Sequence, residues 1–167
     1  MVNPRVIIRP VQASDVDAIL RWENDPEFWP LTAYPGPFTR RDIEQFILHS
    51  KNLQHDGQQR WMIFEKQSQS SIGAIDLFAS ARIPRTVGIG ILIGEKSLRG
   101  AGYGSESLTL MMELIRNELR MDGVECLIDP DNTPSIGLFE KHGFRKTGTE
   151  WFRQREVYRY YIALTTA

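Results

Sequence analysis

Short apolar runs alternate along the chain with segments whose apolar residues recur every three or four positions. The runs are typical of β-strands, and the spaced segments are typical of helices. Only turn-length polar or proline-containing segments separate the second, third and fourth runs, which favours an antiparallel meander. Seven runs predict strands, over residues 6–9, 60–66, 71–79, 86–93, 124–128, 144–147 and 156–163.

Two helices are predicted to begin at capping boxes in the first third of the chain. In the first helix, Ser14 and Asp17 form an S-x-x-D pair, and the helix should end before Pro26. In the second helix, Thr39 and Asp42 form the same kind of pair. Apolar residues at helical spacing follow each pair.

Two more helices are predicted in the second half. The longer one begins at a glycine-rich turn, and its buried stripe consists of Leu108, Met112, Ile115 and Leu119. Thr133 is predicted to cap the shorter one, and Gly143 lies where a left-handed terminator belongs. The element order is β-α-α-β-β-β-α-β-α-β-β. This order predicts an α/β (α+β) fold with a mixed sheet and helices on both faces, in a single domain over residues 1–167.

Composition and charge narrow the class of protein. The chain has 167 residues, 41% hydrophobic and 25% charged, which is typical of one globular domain. A formal net charge of −1 implies no broad basic surface, so we expect no nucleic-acid partner. Cys126 is the only cysteine and no metal-ligand spacing occurs, so we expect no metal. The sequence shows no signal peptide or membrane-spanning run, so we expect a cytoplasmic protein without a membrane partner.

The chemically most informative segment joins the fourth strand to the longest helix. It reads Arg99-Gly-Ala-Gly-Tyr-Gly104. The first N–H groups of a helix lack partners, the helix dipole adds partial positive charge, and glycines allow close approach of an anion. The segment is therefore either an anion-binding turn or only a tight turn. It lacks the Lys-Ser/Thr of a P-loop and the parallel strand–helix alternation of a dinucleotide fold.

Two motifs at the appropriate spacing resemble the GNAT superfamily of N-acetyltransferases. The turn matches the family signature (Q/R)-x-x-G-x-(G/A). Downstream, residues 132–144 (NTPSIGLFEKHGF) resemble the family segment N-x-x-S/A…Y-E-K-x-G-F. Residues 20–27, 72–78 and 88–93 are similar to the branch of ribosomal-protein and polyamine or diamine acetyltransferases. The resemblance implies the GNAT fold and acetyl-coenzyme A as co-substrate.

The resemblance also implies a set of cofactor-binding residues. Main-chain groups of Ile91, Leu92 and Ile93 would pair with the pantetheine arm, and one N–H would polarise the thioester carbonyl. The turn would bind the pyrophosphate through Arg99, Gly100, Ala101, Gly102, Tyr103 and Gly104. Further contacts are expected from Asn132, Ser135 and Phe139, although Asn132 could equally be a turn residue before a capped helix and Phe139 could pack in the core.

Two positions depart from the family pattern and leave the proton carriers open. Phe139 replaces a tyrosine thought to protonate the leaving thiolate, so water, Tyr103 or a residue that the sequence does not identify would serve instead. Gly88 replaces a glutamate that acts as general base in some members. Asp76 interrupts an apolar strand and is the candidate base, with Glu23 as a second carboxylate; alternatively Asp76 caps a bulge or pairs with an arginine.

The acceptor site is expected at the end of the first helix and in the loop after it. Carboxylates beside aromatic faces suit a cation with an alkyl body. The alternative is a solvated helix end with aromatic residues packed on the core. The predicted substrate-binding residues are Trp22, Asp25, Glu27, Trp29, Tyr34 and Asp76.

The predicted function is direct attack of a primary amine on acetyl-coenzyme A, with a small-molecule or peptide amine as acceptor. A polyamine or diamine such as spermidine is the first expectation. The α-amine of a protein, as in ribosomal-protein acetylation, is the alternative. A different class of function, an acyl-coenzyme A sensor without efficient turnover, would explain Phe139 and Gly88. A homodimer is compatible with each of these interpretations.

Overall fold

The computed structural model describes residues 3–31 and 34–164; the remaining residues of the predicted domain lie outside these ranges. The strands are β1 (Val6–Pro10), β2 (Lys51–Asn52), β3 (Gln58–Glu65), β4 (Ser70–Ala79), β5 (Thr86–Ile93), β6 (Gly123–Ile128), β7 (Arg145–Phe152) and β8 (Arg155–Ala163). The helices are α1 (Val16–Glu23), α2 (Arg40–Leu48), α3 (Leu53–Asp56), α4 (Tyr103–Leu114) and α5 (Thr133–Lys141).

One mixed sheet carries all the strands in the order β1-β3-β4-β5-β6-β8-β7, with β2 paired to β3 at its side. Every pair is antiparallel except β5 with β6, which is parallel. The predicted mixed α/β fold is therefore confirmed. The predicted element order lacked β2 and α3, because a two-residue strand and a one-turn helix are too short to show a period.

The sheet is covered on both faces. Helices α1 and α2 pack on one face over Met62 and Ala74, through the apolar side chains Val16, Ile19, Ile43 and Ile47. We call this side the α1/α2 face. On the other face, α4 and α5 share a larger core with the sheet, which includes Ile75, Leu108 and Phe139. Among the described helices, none is both long enough and apolar enough to span a bilayer.

The first predicted capping box was wrong and the second was correct. The N–H of Gln12 donates to Asp15 at 2.8 Å, so the chain turns before Ser14. Asp17 instead forms an ion pair with Arg40 at 2.5 Å. At α2, the predicted reciprocal pair forms, since Thr39 accepts from the N–H of Asp42 at 3.1 Å and donates its own N–H to the carboxylate at 2.7 Å.

The predicted cap of the last helix lies one residue too late. The side chain of Asn132, not Thr133, accepts the N–H of Ser135 at 3.3 Å. Gly143 ends the helix as predicted, with a φ of +90°. The longest helix also changes character before its end: α4 gives way at Ile115–Leu119 to a π-helical turn.

The two central strands part soon after they meet, and this positions the site. Strands β5 and β6 pair over only three residue pairs, Thr86 with Gly123, Val87 with Val124 and Gly88 with Glu125. Beyond Gly88, β5 continues to Ile93 without a strand on that side. A wedge-shaped cleft therefore opens between β5 and β6, and its wide end faces the glycine-rich turn.

A glycine at the end of β5 allows helix α1 to approach the sheet. A Cβ added at Gly94 would overlap the indole ring of Trp22, which is itself buried. By contrast, a Cβ at Gly90 in the same strand would meet nothing within 4 Å.

We expect Gly94→Ala to destabilise the fold by about 1–3 kcal/mol, since a buried indole has little room to yield. Urea unfolding followed by tryptophan fluorescence measures the change. The matched substitution Gly90→Ala should lie within about 0.5 kcal/mol of the wild type. Equal stability of the two variants would contradict the packing described here.

Candidate active site

The turn between β5 and α4 has the geometry of an anion-binding site. Gly100 and Gly102 have φ values of +74° and +92°, which side-chain-bearing residues rarely adopt. Helix α4 begins directly afterwards, at Tyr103. In the described ranges of the chain, no hydrogen-bond acceptor engages the N–H groups of Gly100, Ala101 or Gly102. These donors, at the positive end of a helix, are free to bind a diphosphate.

Arg5, the residue directly before β1, holds this turn from behind. The Nη2 atom of Arg5 donates to the carbonyl of Ala101 at 2.8 Å. Its Nε atom donates to Glu106 in the first turn of α4 at 2.6 Å, and its guanidinium stacks on Tyr103 at 4.1 Å from the ring centre. Because Ala101 O is held on the Arg5 side, the adjacent amides can face the opposite side. Arg5 could not be predicted from the sequence, because a residue 96 positions from Ala101 carries no local signal.

Arg99 and the predicted acceptor carboxylates belong to one ion-pair network. Arg99 donates to Ile93 O at 3.0 Å and to Glu27 at 3.1 Å. Lys96 lies 2.9 Å from Asp25 and 2.5 Å from Glu27. The hydrogen bonds from Lys96 lower the pKa of both carboxyls. Cations of the chain therefore already neutralise Asp25 and Glu27, and their predicted contact with a substrate stays a prediction.

Beyond Gly88, only every second residue of β5 directs its main-chain N–H and C=O groups toward the cleft. The N–H of Gly94 donates to Ile72 O at 2.8 Å, which sets the alternation of the β4–β5 ladder. Leu92 then bonds toward β4, where its register partner is Ala74. The main-chain groups of Ile91 and the N–H of Ile93 point into the cleft instead, while Ile93 O on the same side accepts from Arg99. Of the three residues predicted to pair with a ligand, Leu92 is thus used by the sheet itself.

The candidate base Asp76 is held by a buried arginine. Arg60 donates to both oxygens of Asp76, at 2.7 and 2.6 Å, and to Glu23 at 3.0 Å. Burial alone would lower the pKa of Arg60, but the two carboxylates outweigh it and raise that pKa, so the charge is permanent. We call Arg60, Glu23 and Asp76 the Arg60 cluster. Asp76 therefore pairs with an arginine, which was the alternative expected from the sequence. Because both of its oxygens accept from Arg60, Asp76 is not available as a base in this arrangement.

The aromatic residues predicted to line the acceptor site are divided between the core and the surface. Trp22 is only 3% exposed, and its indole N–H donates to Glu95 at 3.2 Å. Its predicted role in binding the substrate was therefore wrong. Trp29 donates to the carbonyl of Glu23 at 2.9 Å and is half-buried. Tyr34 is 70% exposed and lies under the guanidinium of Arg153. Of these three aromatic residues, Tyr34 is therefore the most exposed.

Tyr103 and Phe139 point away from the cleft. The Tyr103 hydroxyl donates to Glu65 on β3, and this hydrogen bond raises the pKa of the tyrosine. Phe139 is buried and packs edge-on against Phe144, with ring centres 5.0 Å apart. Tyr103 as proton donor and Phe139 as a cofactor contact are therefore corrected, because the first is committed to Glu65 and the second belongs to the core. Asn132 caps α5 through Ser135, as described above.

Two glycines of β5 leave part of the sheet surface beside the Arg60 cluster without side chains. Residues opposite each other in a ladder share a face, so Gly90 lies on the α1/α2 face next to Asp76, and Gly88 next to Phe78. A Cβ at Gly90 would meet nothing within 4 Å, and one at Gly88 would make only ordinary contacts with Phe78. An open surface therefore lies on β5 where the cleft begins, flanked by the Arg60 cluster.

The fold agrees with what comparison with known proteins finds. Residues 5–145 match the family model described as the acetyltransferase (GNAT) domain. The chain belongs to the GNAT acetyltransferase family. Membership makes it an acetyl-coenzyme A-dependent acyltransferase. The free amides of the turn and the wedge between β5 and β6 fit the pyrophosphate and the extended arm of this co-substrate.

Relatives within the family cover most of the chain. The "uncharacterized N-acetyltransferase p20" of Bacillus licheniformis is 26% identical over 152 residues, covering 89% of this chain and 83% of the relative. The human "alpha/beta-tubulin-N-acetyltransferase 9" is 28% identical over 162 residues, covering 89% and 76%. Because each relative matches 89% of this chain, both matched regions include the glycine-rich turn and the strands β5 and β6.

Solved structures show the same fold at lower identity. Spermidine N-acetyltransferase from Vibrio cholerae, in complex with coenzyme A and spermine, has a TM-score of 0.80 at 20% identity, covering 95% of both chains. AAC(6')-Ib, in complex with ribostamycin and coenzyme A, has a TM-score of 0.81 at 19% identity, covering 95% of this chain and 93% of that one.

We expect Arg5→Ala to weaken coenzyme A binding about tenfold, or ~1.4 kcal/mol, because the turn loses the contact that orients Ala101. Isothermal titration calorimetry measures the change. Arg9→Ala is the matched control: Arg9 lies in β1, four residues after Arg5, and it likewise stacks on an aromatic ring and pairs with a carboxylate, but its partners are Phe64 and Asp15, not residues of the turn. An affinity loss as large in Arg9→Ala would show that β1 matters only for overall stability.

Cys126 is excluded as a covalent carrier of the acetyl group by its surroundings. It is buried in β6, and burial raises the pKa of its thiol to about 12. Since burial penalises the thiolate, the reactive form is nearly absent at neutral pH.

We therefore expect the thiol of the native protein at pH 8 to react with Ellman's reagent no faster than the protein unfolds. Protein unfolded in guanidinium should at once release one equivalent of thionitrobenzoate per chain. Absorbance at 412 nm follows the reaction. Rapid labelling of the native protein would contradict the burial of this thiol.

Proposed function

We propose that the protein acetylates a single primary amine attached to an apolar body, such as a peptide N-terminus, by direct attack on acetyl-coenzyme A. The observation that carries this proposal is the charge balance of the α1/α2 face around the cleft. The Arg60 cluster places two carboxylates around one guanidinium and so has a net charge of −1. One ammonium group would neutralise it.

The other carboxylates near the cleft are already balanced by cations. Asp25 and Glu27 are paired with Lys96 and Arg99. Two further carboxylates, Glu125 and Glu150, are paired with Arg82 and Arg159, and Asp129 is paired with Arg155. A polyamine with three or four charges needs a surplus of carboxylates, whereas this surface offers a surplus of one.

Exposed apolar side chains lie on the same face and suit an apolar body beyond the amine. Phe78, Leu127 and Phe152 are 43%, 40% and 41% exposed. The ladder registers place all three on the α1/α2 face, on strands from both sides of the cleft. Burying even part of this surface would add affinity at about 25 cal/mol per Å².

The named relatives support an amine acceptor without selecting one. One relative is named for acetylation of tubulin, and one structural neighbour for acetylation of spermidine. Spermidine remains the second candidate, since that neighbour holds spermine in the same fold. The cofactor-facing groups of Ile91 and Ile93 are the candidates for polarising the thioester carbonyl in either case.

An amine panel tests the proposal through thiol release from acetyl-coenzyme A. An apolar tetrapeptide amide with a free N-terminus should show a kcat/KM at least about tenfold above that of spermidine or putrescine. The same peptide with an acetylated N-terminus is the control and should release no thiol.

Two outcomes would contradict the proposal, and they differ. A higher kcat/KM for spermidine, falling steeply with added salt, would favour the polyamine acceptor. Coenzyme A binding without thiol release for any amine would favour the sensor.

A further inference from the structure

One carboxylate stands where the two central strands part. The last residue pair of the β5–β6 ladder is Gly88 with Glu125. Paired residues share a face, so the Glu125 side chain projects on the α1/α2 face beside a residue with no side chain. It therefore lies at the apex of the cleft, next to the bare surface of β5.

The contacts of Glu125 differ from those of the Arg60 cluster. Arg60 donates to Asp76 and Glu23 in three bonds of 2.6 to 3.0 Å. Glu125 accepts a single bond of 3.2 Å, from Arg82, which also donates to Glu150 at 3.1 Å. The Glu125 side chain is 17% exposed, so it is largely shielded from solvent but still accessible to a bound amine.

We propose that Glu125 is the general base that deprotonates the acceptor amine. This assignment rests on the proposed function. An ammonium group has no lone pair, so it must lose a proton before it can attack. The carboxylate takes that proton, directly or through one water. The free amine then attacks the thioester carbonyl carbon, a C–N bond forms, the C–S bond breaks, and the thiolate takes the remaining proton from nitrogen. Glu125 returns its own proton to water.

The assignment explains how the chain can work with a glycine at position 88. The carboxylate comes from the neighbouring strand, one ladder step across the apex, and the missing side chain at Gly88 leaves the amine room to approach it. The charged and titratable groups around Glu125 are Arg82 from the β4–β5 loop, Glu150 on β7, and Arg159 and Tyr161 on β8.

Glu125→Gln, compared with Glu150→Gln, tests the assignment. Both carboxylates bind the same arginine, but only Glu125 lies at the apex. With the best amine of the panel at pH 7, Glu125→Gln should lower kcat by about 10²-fold or more, the usual worth of a general base. The KM for acetyl-coenzyme A and the affinity for coenzyme A should not change, and the latter also reports correct folding.

The pH profile separates a base from a structural residue. Without the base, the variant depends on free amine in solution, so its rate should rise about tenfold per pH unit until the amine pKa, about 8 for an α-amine. Glu150→Gln should keep the wild-type profile.

Failure of the assignment and failure of the proposed function look different. Equal losses in Glu125→Gln and Glu150→Gln, or a wild-type rate in Glu125→Gln, would overturn the assignment while the enzyme remains an acetyltransferase. A wild-type protein that prefers spermidine would overturn only the proposed acceptor. A wild-type protein without amine-dependent thiol release would overturn both.

Discussion

The early separation of β5 from β6 is the constraint on which the rest of the site depends. Once the two strands part after Gly88, the main-chain groups of Ile91 and Ile93 have no strand partner on that side. Ile93 O accepts from Arg99, but the N–H groups of Ile91 and Ile93 and the carbonyl of Ile91 stay open for an extended ligand that completes the ladder. The sheet is thus built with a position left open for a strand-like molecule, and the free amides of the glycine turn lie at the wide end of that position.

Arginines organise the surroundings of the cleft more than the residues predicted to do chemistry. Arg60 gathers Glu23 and Asp76 from α1 and β4 into one cluster, and Arg5 links the segment before β1 to the turn. Arg82 joins β6 to β7. Each guanidinium presents several donors in a fixed plane, so each can fix the relative position of elements that are distant in sequence. Their common effect is to leave few carboxylates free.

Much of the fold could be predicted from the sequence, and less of the site. Strands, the longest helix and the glycine turn carry local periodicity, and their predicted places were confirmed within a few residues. The side-chain partners of Trp22, Asp25, Glu27 and Tyr103 were not predicted, because each lies far along the chain. An acidic residue after a helix looks the same in sequence whether a lysine neutralises it or not. The importance of Glu125 likewise follows only from the register of β5 and β6, which no local pattern reveals.

The clamp formed by Arg5 joins two parts of the chain that are synthesised far apart. Its bonds to Glu106 span 101 residues. The diphosphate-binding turn therefore acquires its full geometry only when the first strand has docked against β3 and α4, a contact of high sequence separation. Any opening that detaches the edge strand β1 would also release the turn, so occupancy of the turn and retention of the edge strand stabilise each other.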